Sequence, residues 1–242
     1  SKRVDLKKGS DEIFELAATF DELLDDVEES MQREKRFTDD VAHELRTPLS
    51  VAKMSLTEAL RGDLDPEVKE ELKVVQNKLD TMTKMTAQLL LLARADQGKI
   101  DLHKEKIAFS ELSEMVALEF KELALNKGIE LVYDIKEDLY VKGDETMLLR
   151  LYNNVLENAL NYSKEGSTIR LSVDDKDEDI IFKIADEGIG ISKDDLGKIF
   201  ERFYRADKSR TLKGSGLGLS IVKWIADAHD IRIEVKSEPD KG

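Results

Sequence analysis

The chain has 242 residues, with 38 Lys and Arg against 52 Asp and Glu and a net charge of −14, long enough for one or two domains of ordinary size. So acidic a chain, without a clustered basic segment, is poorly built to neutralise a phosphate backbone, which argues against nucleic acid as a partner. It has no Cys, hence no disulfide, thiolate metal site or thiol nucleophile. The 37% of charged residues exceeds the roughly 25% of an average globular chain and suits elongated helices with much wet surface.

The longest leucine run, residues 89–92, is far short of the roughly 20 apolar residues that a membrane span requires. No direct membrane contact is expected of this stretch. The opening Ser1-Lys2-Arg3, without Met or an apolar segment, reads as an excised fragment without a signal peptide, compatible with an anchor further upstream.

From residue 11 to about 96 strand signals are almost absent, and apolar residues return every three or four positions. Ile13, Leu16, Phe20, Leu23, Val27, Met31, Phe37, Val41, Leu45 and Pro48, continued by Val51, Leu56 and Leu60, trace one stripe of a long amphipathic helix. Gly62-Asp63-Leu64-Asp65-Pro66 interrupts it, with Asp65 placed to cap a second helix and Pro66 at its first position. The second arm repeats the pattern through Val68, Leu72, Val75, Leu79, Met82, Thr86, Leu89 and Ala93. Two stripes this narrow cannot enclose a core alone, so two copies meeting as a four-helix bundle are expected, a homodimer. Periodicity by itself equally fits a coiled-coil stalk.

Within the first arm, His43 stands two residues from both Val41 and Leu45, turned off the seam, so its imidazole is expected to meet solvent. An unperturbed imidazole, with a pKa near 6.5, is mostly neutral at pH 7 and can act as a nucleophile. Glu44 could accept its second ring proton. Pro48 removes a helical N–H and its ring crowds the carbonyl of Glu44, which predicts a bend just past His43.

Past residue 100 the grammar changes. Strands are predicted at 129–133, 169–173, 180–184 and 231–235, with the acidic run 174–179 turning one into the next. Helices are predicted at 110–126, 144–162 and 218–228, and the order suggests a two-layer α/β sandwich of about 135 residues. The boundary is expected near residues 97–106.

Six of the 13 glycines, from Gly188 to Gly218, fall within 31 residues, where scatter would place about two, so the segment needs backbone freedom or a close ligand approach. Asp186-Glu187-Gly188-Ile189-Gly190 follows a predicted strand, and Gly214-Ser215-Gly216-Leu217-Gly218-Leu219 opens a helix, where unpaired N–H groups at the positive end of the dipole favour phosphate. On the 144–162 helix, Asn154 and Asn158 share a face, with Asn161 and Tyr162 a turn beyond. Carboxamide oxygens suit a hard cation such as Mg²⁺, which completes its shell with phosphates and water. His103 and His229 read as surface or structural residues.

Together these segments closely resemble the sensor histidine kinases of two-component systems. His43-Glu44-Leu45-Arg46-Thr47-Pro48-Leu49 resembles the H box, and Asn154-Val155-Leu156-Glu157-Asn158-Ala159 the N box. Asp186 to Ile191 is similar to the first glycine box, Phe200-Glu201-Arg202-Phe203-Tyr204-Arg205 to the F box, and Gly214 to Leu219 to the second glycine box. Residues 11–29 resemble the end of a HAMP linker, which in that family follows a transmembrane segment. The resemblance implies residues 1–30 as HAMP end and signalling helix and 31–98 as the dimerisation and histidine-phosphotransfer hairpin. It further implies 99–106 as linker and 107–242 as the catalytic ATP-binding domain, a cytoplasmic fragment of a protein anchored in the bacterial cell membrane.

By that resemblance His43 takes the γ-phosphoryl group of ATP and passes it to an Asp of a response regulator. Glu44 is then the general base, and Thr47 orients water when the same surface dephosphorylates the regulator. Asn158, helped by Asn154, holds Mg²⁺. Asp186 accepts from the adenine amino group, with Tyr162 against the nucleotide and Arg205 reaching the γ-phosphate. Gly188, Gly190, Ile191, Gly214, Ser215, Gly216, Leu217, Gly218 and Leu219 surround the ligand, as does Asn161.

Three departures stand out. Asn161 replaces a Lys common in the family, Asp230-Ile231 stands where a Gly pair is common, and the chain stops at Gly242 where relatives continue into another strand. Two other readings compete: an ATPase clamp of the gyrase and MutL kind, which carries Glu at the position of Asn154, and a pseudokinase scaffold that binds partners without turnover.

Overall fold

The computed structural model describes residues 11–62, 64–206, 214–239 and 242, with side chains except at 11–15, 27–40, 42 and 43. The first ten residues of the expected HAMP end, Asp63, and the side chains of Ile13, Val27, Met31, Phe37 and His43 lie outside that description. The chain divides into two compact units, residues 1–99 and 100–242.

The first unit is a helical hairpin of α1 (Asp11–Ala59) and α2 (Pro66–Asp96). Helix α1 runs on through Pro48, which removes one N–H without ending it. The carboxylate of Asp65 accepts the Glu67 N–H at 2.9 Å and Pro66 takes the first position, so α2 starts where its orphan donors are satisfied. Lys53 and Asp80 join the arms at 2.6 Å, both about half exposed, so the pair contributes little energy. Leu49, Leu56, Leu90, Leu92 and Ala93 are buried, whereas Leu45, Val51, Met54, Val75 and Met82 stay exposed. The stripe expected from periodicity is therefore present but only partly covered within one hairpin. Among the described residues no helix is long and apolar enough to cross a membrane.

The second unit contains β1 (Glu105–Ala108), α3 (Phe109–Leu125), β2 (Glu130–Ile135), β3 (Tyr140–Gly143), α4 (Glu145–Tyr162), β4 (Thr168–Lys176), β5 (Asp179–Ala185), the short α5 (Lys193–Leu196) and α6 (Gly218–Ala228). Strands β2 and β4 pair in parallel and β4 pairs antiparallel with β5; β1 and β3 form a separate antiparallel ladder. Period-2 alternation sends Leu131, Ile169, Leu171 and Val173 inward, where they meet Val116 and Phe120 of α3 and Leu148, Tyr152 and Leu156 of α4. Tyr152 is 1% exposed; it packs on Phe182 with ring centroids 4.2 Å apart and shares a hydrogen bond with Ser113. Burial pushes its phenol well above the usual range. Helix α6 packs on α4 through an apolar face that includes the buried Ile221, Val222 and Ile225.

Three predicted strands and three predicted helices form, with ends shifted by a few residues at most. The predicted strand at 231–235 does not. Asp230 turns the chain at φ 58°, the Ile231 N–H is taken by the Ala226 carbonyl at 2.8 Å, and Ile231 and Val235 each remain 40% exposed. An alternating sequence becomes a strand only when a neighbour supplies a ladder, and among the described residues β5 is laddered only to β4.

Candidate functional site

Helix α4 presents the asparagines. Asp144 caps it, accepting the Met147 N–H at 3.0 Å, which fixes the start of a helix whose 3.6-residue period then aligns Asn154, Asn158 and Asn161 along one side. Asn154 is 7% exposed and donates from Nδ2 to the Arg150 carbonyl at 2.7 Å. That bond leaves its Oδ1 aimed at Gly218, 3.0 Å from where a β-carbon would stand. Asn158 is half-buried. Asn161 accepts from Lys127 Nζ at 3.0 Å, and the same ammonium donates to the Leu160 carbonyl at 3.3 Å, placing a cation at the negative end of the α4 dipole.

The loop after β5 folds against the end of α4. The Asp186 carboxylate accepts the Gly188 N–H at 2.9 Å, and the Tyr162 carbonyl accepts the Ile189 N–H at 3.3 Å. Burial raises the Asp186 carboxyl above its ordinary range, against the opposing effect of the Gly188 bond. Gly190 turns at φ 64°, and the Ile191 N–H goes to Ser237 Oγ at 2.8 Å.

The second glycine segment closes the other side. Gly214 stands beside the Tyr162 hydroxyl, and Gly216 turns at φ 72° where any side chain would meet the Phe203 backbone at 2.8 Å, so only glycine fits there. Its carbonyl accepts the Phe203 N–H at 2.9 Å. Phe203 itself sits at φ 61° and is 61% exposed, an uncommon backbone state for a bulky residue. Tyr204 donates to the Asp195 carboxylate, which also accepts from Ser192 Oγ at 2.7 Å; these bonds, Tyr204 first, lower the Asp195 pKa. Leu217 is buried outright, with its N–H on Ser215 Oγ at 3.2 Å; Leu219 is half-buried, as is Arg205 at the end of the F box. Helix α6 opens at Gly218 without a side-chain cap, leaving its first N–H groups for an anion.

The arrangement thus gathers Asn154, Tyr162, Asp186, Gly188 and Gly214 to Gly218 along the C-terminal half of α4. It offers a buried carboxylate acceptor, carboxamide oxygens and an uncapped helix start, a donor and acceptor set that fits a purine, a hard cation and phosphates. His43, Glu44 and Thr47 lie in the other unit, on α1, where Glu44 and Thr47 are exposed. The sequence had singled out neither Lys127 nor Asp195; Lys127 lies 34 residues from Asn161, and no local pattern announces such a pairing.

Residues 143–242 match the family of histidine kinase-, DNA gyrase B- and HSP90-like ATPases, and residues 33–98 match the His Kinase A (phospho-acceptor) domain. The chain is 35% identical over 234 residues to the signal transduction histidine-protein kinase BaeS of Escherichia coli K12, covering 96% of this chain and 50% of that protein. It is 36% identical over 240 residues to the sensor histidine kinase YkoH of Bacillus subtilis 168, covering 97% and 52%. Among solved structures, full-length ShkA in complex with AMPPNP superposes with a TM-score of 0.67 at 28% identity, over 80% of this chain and 41% of that one. The chain spans about half the length of these curated relatives.

Proposed function

Because this chain belongs to the sensor histidine kinases, we propose that it binds ATP in the second unit, phosphorylates His43 in the first, and passes the phosphoryl group to an Asp of a response regulator. The observation that carries this reading is the meeting of α4, the Asp186 loop and the uncapped start of α6 in a chain whose other unit matches a phospho-acceptor domain.

In the reaction a neutral ring nitrogen of His43 attacks the γ-phosphorus, the bond to the bridging oxygen breaks, and ADP leaves with the electron pair. Glu44, adjacent on α1, takes the proton from the other ring nitrogen. Asp186 accepts from the adenine amino group while Tyr162 lies against the nucleotide. Arg205 and the first N–H groups of α6 balance phosphate charge, and such transfer depends mainly on positioning and charge neutralisation. Asn158 would hold Mg²⁺, with Asn154 Oδ1 beside it. Two observations support that role: the Asn158 side chain makes no hydrogen bond among the described residues, and Asn154 binds the Arg150 carbonyl through Nδ2, keeping its oxygen available. The ion would neutralise phosphate charge when bound. A carboxylate oxygen of the regulator then attacks the phosphohistidine and restores the imidazole, and Thr47 orients water when the regulator is dephosphorylated.

Two hairpins would pair through the exposed stripe that includes Leu45, Val51, Val75 and Met82, forming a homodimeric four-helix bundle, in a cytoplasmic segment of a membrane-anchored protein. Incubation with γ-labelled ATP tests the proposal. Acid-labile label on the protein supports it; free phosphate without labelled protein points to an ATPase clamp, and neither points to a scaffold.

A further inference from the structure

Asp144 is 8% exposed and is the meeting point of three chain segments. Its Oδ1 accepts the Met147 N–H at 3.0 Å and so caps α4. Its Oδ2 accepts the His103 N–H, also at 3.0 Å. Its own N–H donates to Nε2 of His229 at 3.0 Å, and that ring is held from its other side by Nδ1 donating to the Ile225 carbonyl at 2.9 Å. Each donor has one acceptor, and the buried carboxylate uses one oxygen for each of two elements.

The geometry explains why a side chain is needed. Strand β1 pairs with β3 antiparallel, with Glu105 opposite Gly143. One residue later the β3 strand gives way to α4, so no backbone carbonyl is available to continue the ladder toward the linker. Asp144 Oδ2 supplies the missing acceptor and carries the pairing back to His103. Helices α4 and α6 are antiparallel and pinned at two places. Gly218 lies beside Asn154 at the nucleotide end, and His229 holds Asp144 at the other.

We propose that Asp144 is a positioning residue for phosphoryl transfer: through His103 it fixes the segment leading back to α2 onto the residue that caps α4 and anchors α6. This rests on the kinase reading above. The two nucleotide-bearing helices and the linker exit then move as one body. Releasing the linker leaves the nucleotide site intact but widens the range of positions from which a phosphate is offered, and misplacement costs rate rather than affinity.

The test uses the full 242-residue chain with three variants. His103→Pro removes the donated N–H and leaves the cap in place. His103→Ala keeps that N–H and removes only the imidazole. Asp144→Asn leaves one acceptor for two donors and serves as a second route to the same lesion. Nucleotide affinity is read with a fluorescent ATP analogue, the labelling rate of His43 at saturating ATP, and amide exchange at His103 and Met147.

In the wild type the His103 amide should be protected. His103→Pro should keep analogue affinity within about twofold and Met147 protected, while labelling at saturating ATP falls roughly tenfold. Asp144→Asn should expose the His103 amide and slow labelling similarly, and His103→Ala should match the wild type in every readout. The proposal is overturned if His103 exchanges as fast as free peptide, if His103→Pro labels at the wild-type rate, or if affinity falls in step with labelling. A wild-type chain that never labels sinks the kinase reading instead, and the exchange measurements then still decide whether the tether exists.

Discussion

The two units solve burial in opposite ways. The α/β unit builds a core of its own: Ala117, Leu156, Ile169, Ile221 and Ile225 are fully buried where α3 and α4 meet the sheet and α6 packs on α4, although Leu118, Leu125 and Phe203 stay exposed. The hairpin buries Leu49, Leu56, Leu90, Leu92 and Ala93, yet leaves Val51 54%, Met54 69% and Met82 49% exposed. An apolar stripe of that extent on a soluble surface is expected to be covered by association. The unit proposed to hold nucleotide thus has a core of its own, and the unit proposed to carry the acceptor histidine leaves much of its apolar stripe uncovered. On the proposed reading nucleotide binding and assembly fall on different units, so changes in each should separate cleanly.

The largest separation is expected at His43. His43→Gln should remove protein labelling altogether, while the affinity of the α/β unit for an ATP analogue stays at the wild-type level; residual labelling would disprove the acceptor assignment. Next comes Asn158→Ala, which should weaken Mg-ATP binding by about tenfold or more, as loss of a metal ligand does, and leave the oligomeric state untouched. An unchanged titration would count against its metal role.

Met82→Glu acts on the other side of the comparison. Each copy of a two-fold dimer carries the substitution, and placing a charge at an apolar contact costs about 1.5 kcal/mol or more per copy. The dimer dissociation constant, measured by analytical ultracentrifugation, should therefore rise on the order of a hundredfold. Analogue binding should not change. A variant that stays dimeric at the same concentration would show that the exposed stripe is not the interface.

The smallest expected effect is one of pH. Burial raises the Asp186 carboxyl above its ordinary 3.8, so the folded form holds the proton more tightly than the unfolded chain does. Its destabilising contribution is absent below that value and grows as pH rises through the folded pKa. Asp186→Asn keeps an acceptor for the Gly188 N–H and removes the buried charge. It should melt slightly higher than wild type at pH 7, match it near pH 3, and bind the adenine nucleotide more weakly. A lower melting point at pH 7 would contradict the assigned direction.

Much of this was legible beforehand because it is local. Asp65 followed by Pro66 specifies a helix start by its own hydrogen bonding, and the alternation in residues 169–173 specifies a buried face whatever surrounds it. Strands β1 and β3 were missed because four residues such as Glu105-Lys106-Ile107-Ala108 hold too few periods to show alternation, and they exist through each other. Residues 231–235 erred the other way, carrying the pattern without a ladder. The glycine segments announced the turns at Gly190 and Gly216, since their conformational demands are written in residue type. Lys127 on Asn161 and the Asp144 junction were silent because they join residues 34, 41 and 85 positions apart, and His229, read as structural, took its meaning only from where α6 ends.

The central claim is that the nucleotide unit delivers its terminal phosphate to one imidazole on α1. Tandem mass spectrometry of the chain after incubation with Mg-ATP, worked up at neutral pH to preserve phosphoramidate, tests it most directly. The account predicts phosphate on His43 alone. Phosphate on His103 or His229, on a hydroxyl side chain, or on no residue while ATP is consumed, would contradict it.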